Sequence, residues 1–226
     1  MPMDTNRLEQ FAVTKRLYDK MPQKKEFIIP TRSYDGVVKY LKAKKLMKNV
    51  RLLCYTVKAG FNVSKALNLG VRASKYDQII ITSPEVMPKT DVLGQLEKLI
   101  GQNVICQVWD EDENHKVVAS LVHIGYRDMT PAMYFLAMFN KTDIEKINGW
   151  DEDFMLGYAY EDDDFGLRWV RAGIPFIISE DIQGVHQYHP RSETIPGGIG
   201  INFTKVNQNT DNGVIICANG LNKSSL

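Results

Sequence analysis

Residues Phe139 to Gly173 read FNKTDIEKINGWDEDFMLGYAYEDDDFGLRWVRAG, and their punctuation outlines a strand end, a turn and two helices. The apolar run Met133 to Phe139 reads as a strand leading into the segment. Thr142-Asp143-Ile144-Glu145 has the form of a capping box, so a short helix opens there and ends before Gly149. Residues 163–172 carry Phe165 and Trp169 on one face and stop at Gly173, with Pro175 beyond, the pattern of a second helix. Phe176-Ile177-Ile178 then returns as a strand.

Upstream, the same alternation repeats. Residues 6–20 form a weak amphipathic helix, and residues 1–22 read as an N-terminal helical arm. Glu26 to Ile29 is a short strand ending at Pro30, residues 35–48 a helix with Val37, Val38, Leu41 and Leu46 inward, and Arg51 to Val57 a strand. Ser64 caps a helix from Lys65 to Ala73. Gln78 to Thr82 is a near-continuous β-branched run, the mark of a strand covered on both faces. Thr90 caps a helix whose Leu93, Leu96, Leu99 and Ile100 precede the stop at Gly101, and Val104 to Trp109 is a further strand.

Strands alternating with helices predict an α/β fold with helices on both faces of a central sheet. From Pro190 onward Gly, Asn, Ser and Thr dominate, so residues 192–226 are expected to form a loop-rich tail with a strand-like island at Val214-Ile215-Ile216. With no internal repeat and no linker, residues 1–226 are expected to form one domain.

Composition narrows the function classes. A 44% hydrophobic and 24% charged chain of 226 residues is that of a globular protein, not a disordered or fibrous one. Its 28 Lys plus Arg against 27 Asp plus Glu leave a net charge of +1, which makes no global field for polyanions. The apolar runs fall far short of the ~20 residues of a membrane helix, and the polar N-terminus has no signal-peptide core, so the expectation is a cytoplasmic protein without a membrane span. Cys54, Cys106 and Cys217 read as reduced structural thiols.

Three constellations carry candidate chemistry. Glu161-Asp162-Asp163-Asp164 either complements the dipole of the helix it opens or, because adjacent carboxylates raise one another's pKa, supplies a general base near neutrality. His186 and His189 follow a strand, where they are either structural or ligands of a divalent metal. Thr82-Ser83-Pro84-Glu85 ends the buried strand, the edge at which open α/β sheets bind ligands, although Ser-Pro-Glu is also ordinary turn chemistry.

The order of these pieces resembles the GT-A glycosyltransferases, closest to family 2 enzymes and to the carboxyl-terminal region of the β-1,4-galactosyltransferase type. The resemblance covers roughly residues 26–191 and is most specific over Phe139 to Gly173. Ala66 to Pro88, ALNLGVRASKYDQIIITSPEVMP, looks like the family's Asn-x-Gly helix and the strand that carries its Asp-x-Asp metal motif.

The resemblance implies a single Rossmann-like GT-A domain with a mixed sheet. It also implies a metal-dependent, inverting transfer of a sugar, a hexose by preference, from a nucleotide-sugar donor to an acceptor hydroxyl. By position Asp162, or else Glu161, matches the catalytic base. Asp163, Trp150 and Tyr158 match acceptor-binding residues, and Pro30, Thr31 and Arg32, with Ser83 and Glu85, the donor-binding loops. Glu85 with His186 or His189 matches the site of Mn²⁺ or Mg²⁺, and a UDP-sugar is the first donor to consider. The departure is Ser83-Pro84-Glu85 in place of Asp-x-Asp: the first carboxylate is missing and Glu replaces the second. The acceptor, whether glycan, protein, lipid or modified base, is left open. The alternative reading is an inactive GT-A-fold protein that binds a sugar or a partner.

Overall fold

The computed structural model of the chain describes residues 1–57, 62–121, 133, 135–154, 159–190 and 197–222. Among these are eight strands: β1 (Phe27–Thr31), β2 (Val50–Cys54), β3 (Gln78–Thr82), β4 (Val86–Pro88), β5 (Val104–Glu111), β6 (Val117–Ser120), β7 (Leu136–Asn140) and β8 (Ile177–His186). The α-helices are α1 (Leu8–Asp19), α2 (Tyr34–Ala43), α3 (Val63–Ala73), α4 (Val92–Glu97), α5 (Lys141–Lys146), α6 (Glu161–Arg171) and α7 (Gly198–Asp211). Six strands form a mixed sheet in the order β3-β7-β5-β8-β4, with β6 paired to β5. Only β5 and β8 run parallel within it. β1 and β2 form a separate parallel pair, so the expected central sheet is divided in two.

Alternation along the strands explains why both faces are apolar. Val104, Cys106 and Val108 of β5 and Leu136 and Met138 of β7 point into one core, with Phe11 of α1 and Val37 and Leu41 of α2. Ile105, Ala137 and Phe139 point the other way, onto Leu67 and Val71 of α3, Ile144 of α5 and Phe165 and Trp169 of α6. The mixed sheet thus lies between helical layers, as the strand–helix alternation predicts.

Helix starts are less faithful to the sequence reading. Asn62, not Ser64, caps α3, its side chain accepting from the Lys65 amide at 2.7 Å. Asp91 caps α4 through the Gly94 amide, while Thr90 donates to Gln95. α5 starts one residue before the expected capping box, so Thr142 lies inside it, and Asp143 accepts from Asn103, Asn140 and Lys146 instead.

The tail is the largest correction. Gly198–Asp211 is α7, a helix of 14 residues, and Val214-Ile215-Ile216 is not a strand. Glycine and asparagine give this segment little intrinsic helicity, and tertiary ties supply the rest. Asn202 donates to the Ala159 carbonyl at 2.9 Å and Asn209 to Asp164 at 2.7 Å, while Val206 is buried against Phe154 and Leu167. Cys106 and Cys217 are buried and their thiols are pushed by burial up to about 12, but Cys54 is exposed, so it is no core thiol.

Candidate active site

β3 runs out at Thr82 into the turn Ser83-Pro84-Glu85, closed by the Val86 amide on the Ser83 carbonyl at 3.2 Å. The chain re-enters the sheet as β4, antiparallel to β8, with Val86 opposite His186. Gln187 locks the turn, its backbone and side-chain amides both donating to the Glu85 carbonyl at 3.0 Å. The result joins two segments a hundred residues apart: Glu85, His186 and His189 offer ligand atoms within 4.8 Å of one another.

Both imidazoles present the same nitrogen. His186 Nε2 lies 3.6 Å and His189 Nε2 3.5 Å from the same Glu85 Oε1. His186 Nδ1 lies 2.9 Å from Asp110 and His189 Nδ1 2.9 Å from the Pro190 carbonyl. Those partners only accept, so each ring donates from Nδ1 and turns Nε2 towards Glu85, where a neutral ring has its lone pair for a cation. Among the described residues Glu85 Oε2 is buried with no hydrogen-bond partner, an acceptor of the kind a cation satisfies. Burial pushes the Glu85 carboxyl up, but hydrogen bonds and charge from the histidines outweigh it and hold it at about 2. Burial likewise pushes His186 down, and Glu85 and Asp110 carry it above the usual imidazole value. One carboxylate and two oriented imidazoles fit a divalent cation.

The N-terminal segment contributes to the same end of the fold. Arg7, in a 3₁₀ turn (Thr5–Arg7), places Nε 3.8 Å from Glu85 Oε1. Asp4 just before it pairs with Arg32 at the end of β1, accepting from the Arg32 Nε at 2.9 Å and from its amide at 3.2 Å. Thr31 is buried and donates weakly to Asp4, and Pro30 lies within β1. Thus Arg32 and Glu85, far apart in sequence, are tied to neighbouring residues of one N-terminal turn.

The acidic cluster opens α6, directly after Tyr160 in the left-handed region at φ 73°. Glu161, Asp162 and Asp163 are half-buried in the first turn. Burial, then the charges of Glu161 and Asp163, raise the Asp162 carboxyl well above the ordinary range, and burial raises Glu161. Asp164 is different in kind: it is buried and ion-paired to Arg168.

Trp150 departs from its expected place. It is fully buried and its ring stacks on Phe165 at 4.0 Å, nearly parallel, so it fills the core under α6 rather than a sugar-facing surface. A tryptophan beside a helix start reads the same in sequence whether it faces in or out. Tyr158 lies outside the described residues. Sequence reading also passed over Asp110, Arg7 and Asp4, which no motif marks. Asn68, the asparagine of the Asn-x-Gly helix, bonds both the amide and the carbonyl of Trp150 through its side chain, at 2.9 and 2.7 Å.

A family model described as the N-terminal domain of galactosyltransferase matches residues 135–191, the segment that holds the α6 acids and both histidines. No curated protein sequence matches the chain. Among solved structures, it is similar to the Pyrobaculum calidifontis mannosyltransferase PcManGT in complex with GDP-Man and Mn²⁺, with a TM-score of 0.61 and 14% identity. That match covers 84% of this chain and 56% of the other. It is also similar to S. aureus TarS 1-349, with a TM-score of 0.69 and 10% identity over 97% of this chain and 65% of TarS. TarS 1-349 is known in complex with UDP and with UDP-GlcNAc. The chain has the GT-A glycosyltransferase fold. It spans between 56% and 65% of the length of these structures.

Proposed function

We propose that the chain is a cation-dependent, inverting glycosyltransferase that moves a sugar, a hexose in the first instance, from a nucleotide-sugar donor to an acceptor hydroxyl. The observation that carries the reading is the convergence of Glu85, His186 and His189 at the turn after β3, in a GT-A fold. These residues would hold a divalent cation. The carboxylate suits Mg²⁺ or Mn²⁺, and two imidazoles favour Mn²⁺. Such a cation supplies charge neutralisation to a departing diphosphate. Pro30, Thr31, Arg32 and Ser83 are proposed to face the donor, where the guanidinium of Arg32, now paired with Asp4, would be a planar donor to its phosphates. TarS, with its UDP and UDP-GlcNAc complexes, makes a UDP-sugar the first donor to test.

Asp162 is the proposed base. Its raised pKa brings it towards the operating pH, where a carboxylate is strong enough to take the acceptor's proton and still ionised often enough to act. A positioned base of this kind contributes roughly 10²–10⁴-fold. One base and an in-line attack invert the anomeric centre, since a retaining double displacement needs a carboxylate nucleophile beside it. Glu161 is the second choice for the base, and Asp163 and Tyr158 are proposed to hold acceptor hydroxyls.

Release of UDP from UDP-glucose, UDP-galactose and UDP-N-acetylglucosamine with water as acceptor tests the reading without a known acceptor. The expected result is Mn²⁺-dependent release from one donor, falling roughly 10²–10⁴-fold in Asp162→Asn while UDP still binds. Unchanged turnover in that variant removes Asp162 from the role. Binding without turnover in the unmodified protein favours the sugar-binding alternative, which the loss of the first Asp-x-Asp carboxylate at Ser83 also suggests.

A further inference from the structure

We propose that Asp110 is a positioning residue of the cation site, setting the tautomer and tilt of His186 so that Nε2 faces Glu85 before any cation arrives. The inference rests on the metal-site reading above and adds a residue that no sequence motif marks.

The placement of Asp110 depends on an irregularity in the sheet. β5 and β8 begin in one parallel register, with Val104 opposite Ile177 and Cys106 opposite Ser179. After Cys106 the register jumps, so that Gln107 lies opposite Gln183 and Asp110 opposite His186. Glu180, Asp181 and Ile182 are the extra residues. Had the first register continued, His186 would stand opposite Glu113, beyond the end of β5, and no β5 side chain would flank it. A second shift, between Asp110 and Glu111 in the pairing with β6, falls at the same residue. Bulges bend a strand and re-aim its side chains, and they concentrate beside functional sites.

The chemistry follows from the contact. Asp110 Oδ1 lies 2.9 Å from His186 Nδ1. An ionised carboxylate can only accept, so the ring donates from Nδ1, and a neutral imidazole then has its lone pair on Nε2. Phe135 stands edge-on to the ring at 5.8 Å and 82°, limiting its rotation. His189 receives the same orientation from a carbonyl, that of Pro190. A carboxylate raises the basicity of a ligating imidazole more than a neutral carbonyl does, because it stabilises positive charge on the ring. Asp110 therefore makes His186 the stronger of the two nitrogen ligands.

Two readouts on the metal-free and Mn²⁺-titrated protein test this, comparing wild type, Asp110→Ala and Asp110→Asn. Long-range ¹H–¹⁵N correlation at pH 8.5, without metal, reads the His186 tautomer. Titration with Mn²⁺ alone, followed by electron paramagnetic resonance of the free ion, reads affinity. Wild type is expected to hold the Nδ1–H tautomer. Asp110→Ala is expected to lose it and to weaken Mn²⁺ binding roughly 10–100-fold. Asp110→Asn, whose amide oxygen still accepts from Nδ1, should restore the tautomer and most of the affinity, a rescue that a merely structural role would not give. An unchanged tautomer and affinity in Asp110→Ala overturn the proposal. Failure of wild type to bind Mn²⁺ overturns the metal-site reading and the role in cation binding with it, while the tautomer measurement still decides whether Asp110 sets the ring.

Discussion

Asp164 and Arg168 form an ion pair inside the protein, one helical turn apart on α6, with Arg168 Nε 2.7 Å from Asp164 Oδ2. Arg168 uses its other nitrogens to close the turn before α6, donating to the carbonyls of Ile147 at 2.8 Å and Gly149 at 2.9 Å. Asp164 is held in turn by Asn209 of α7. One buried guanidinium thus ties the acidic helix, the preceding turn and the C-terminal helix together. Two neighbouring acids, Asp162 and Asp164, have unlike surroundings: burial and neighbouring carboxylates raise the first, while the second is paired with a buried guanidinium.

Removing one partner of such a pair leaves an uncompensated buried charge. Asp164→Ala should therefore lower the stability of the protein by about 3–5 kcal/mol, read from the urea denaturation midpoint. A loss below 1 kcal/mol would mean that the pair is solvated and does not organise the turn.

Gly149 sits in the left-handed region at φ +69°, and a Cβ there would come within 2.4 Å of Asn68 Oδ1. That oxygen accepts from the Trp150 amide, so it cannot withdraw without breaking the lock on the turn. Gly149→Ala should cost about 1–3 kcal/mol, from backbone strain and the displaced hydrogen bond together. An unchanged midpoint would show that the turn yields cheaply.

Asp162 makes a prediction whose sign depends on pH. Between pH 4 and its own raised pKa, the unfolded chain has an ionised Asp162 while the folded protein keeps the proton. Folding then takes up a proton, so stability falls as pH rises and the penalty is complete above the folded-state pKa. Asp162→Asn, which cannot ionise, should match wild type near pH 3.5 and exceed it in melting temperature at pH 8. Equal melting temperatures at both pH values would contradict a half-buried, mutually repelling acid cluster.

The sequence exposed the core elements because their patterns are local. The β-branched run Gln78 to Thr82 is β3, and Phe165 and Trp169 face one core cluster from α6. Motif order singled out Glu85 and the two histidines, which the structure brings within 4.8 Å of one another. The sequence hid α7, because Gly, Asn and Thr carry little helical preference and the helix leans on Asn202, Val206 and Asn209. It hid Asp110, whose role exists only through a register shift between strands distant in the chain. It misled on Trp150, since periodicity does not tell a core aromatic from one on the surface of a turn.

The most direct test of the central claim is a thermal-shift titration of UDP with and without Mn²⁺, on wild type and Glu85→Ala. A ligand at 100 times its dissociation constant adds about 2.7 kcal/mol, roughly 5–10 °C for a protein of this size. The account predicts that shift for wild type with Mn²⁺, a much smaller one without it, and for Glu85→Ala the same small shift whether or not Mn²⁺ is present. A shift that ignores Mn²⁺ and survives in Glu85→Ala would contradict the cation site built by Glu85, His186 and His189.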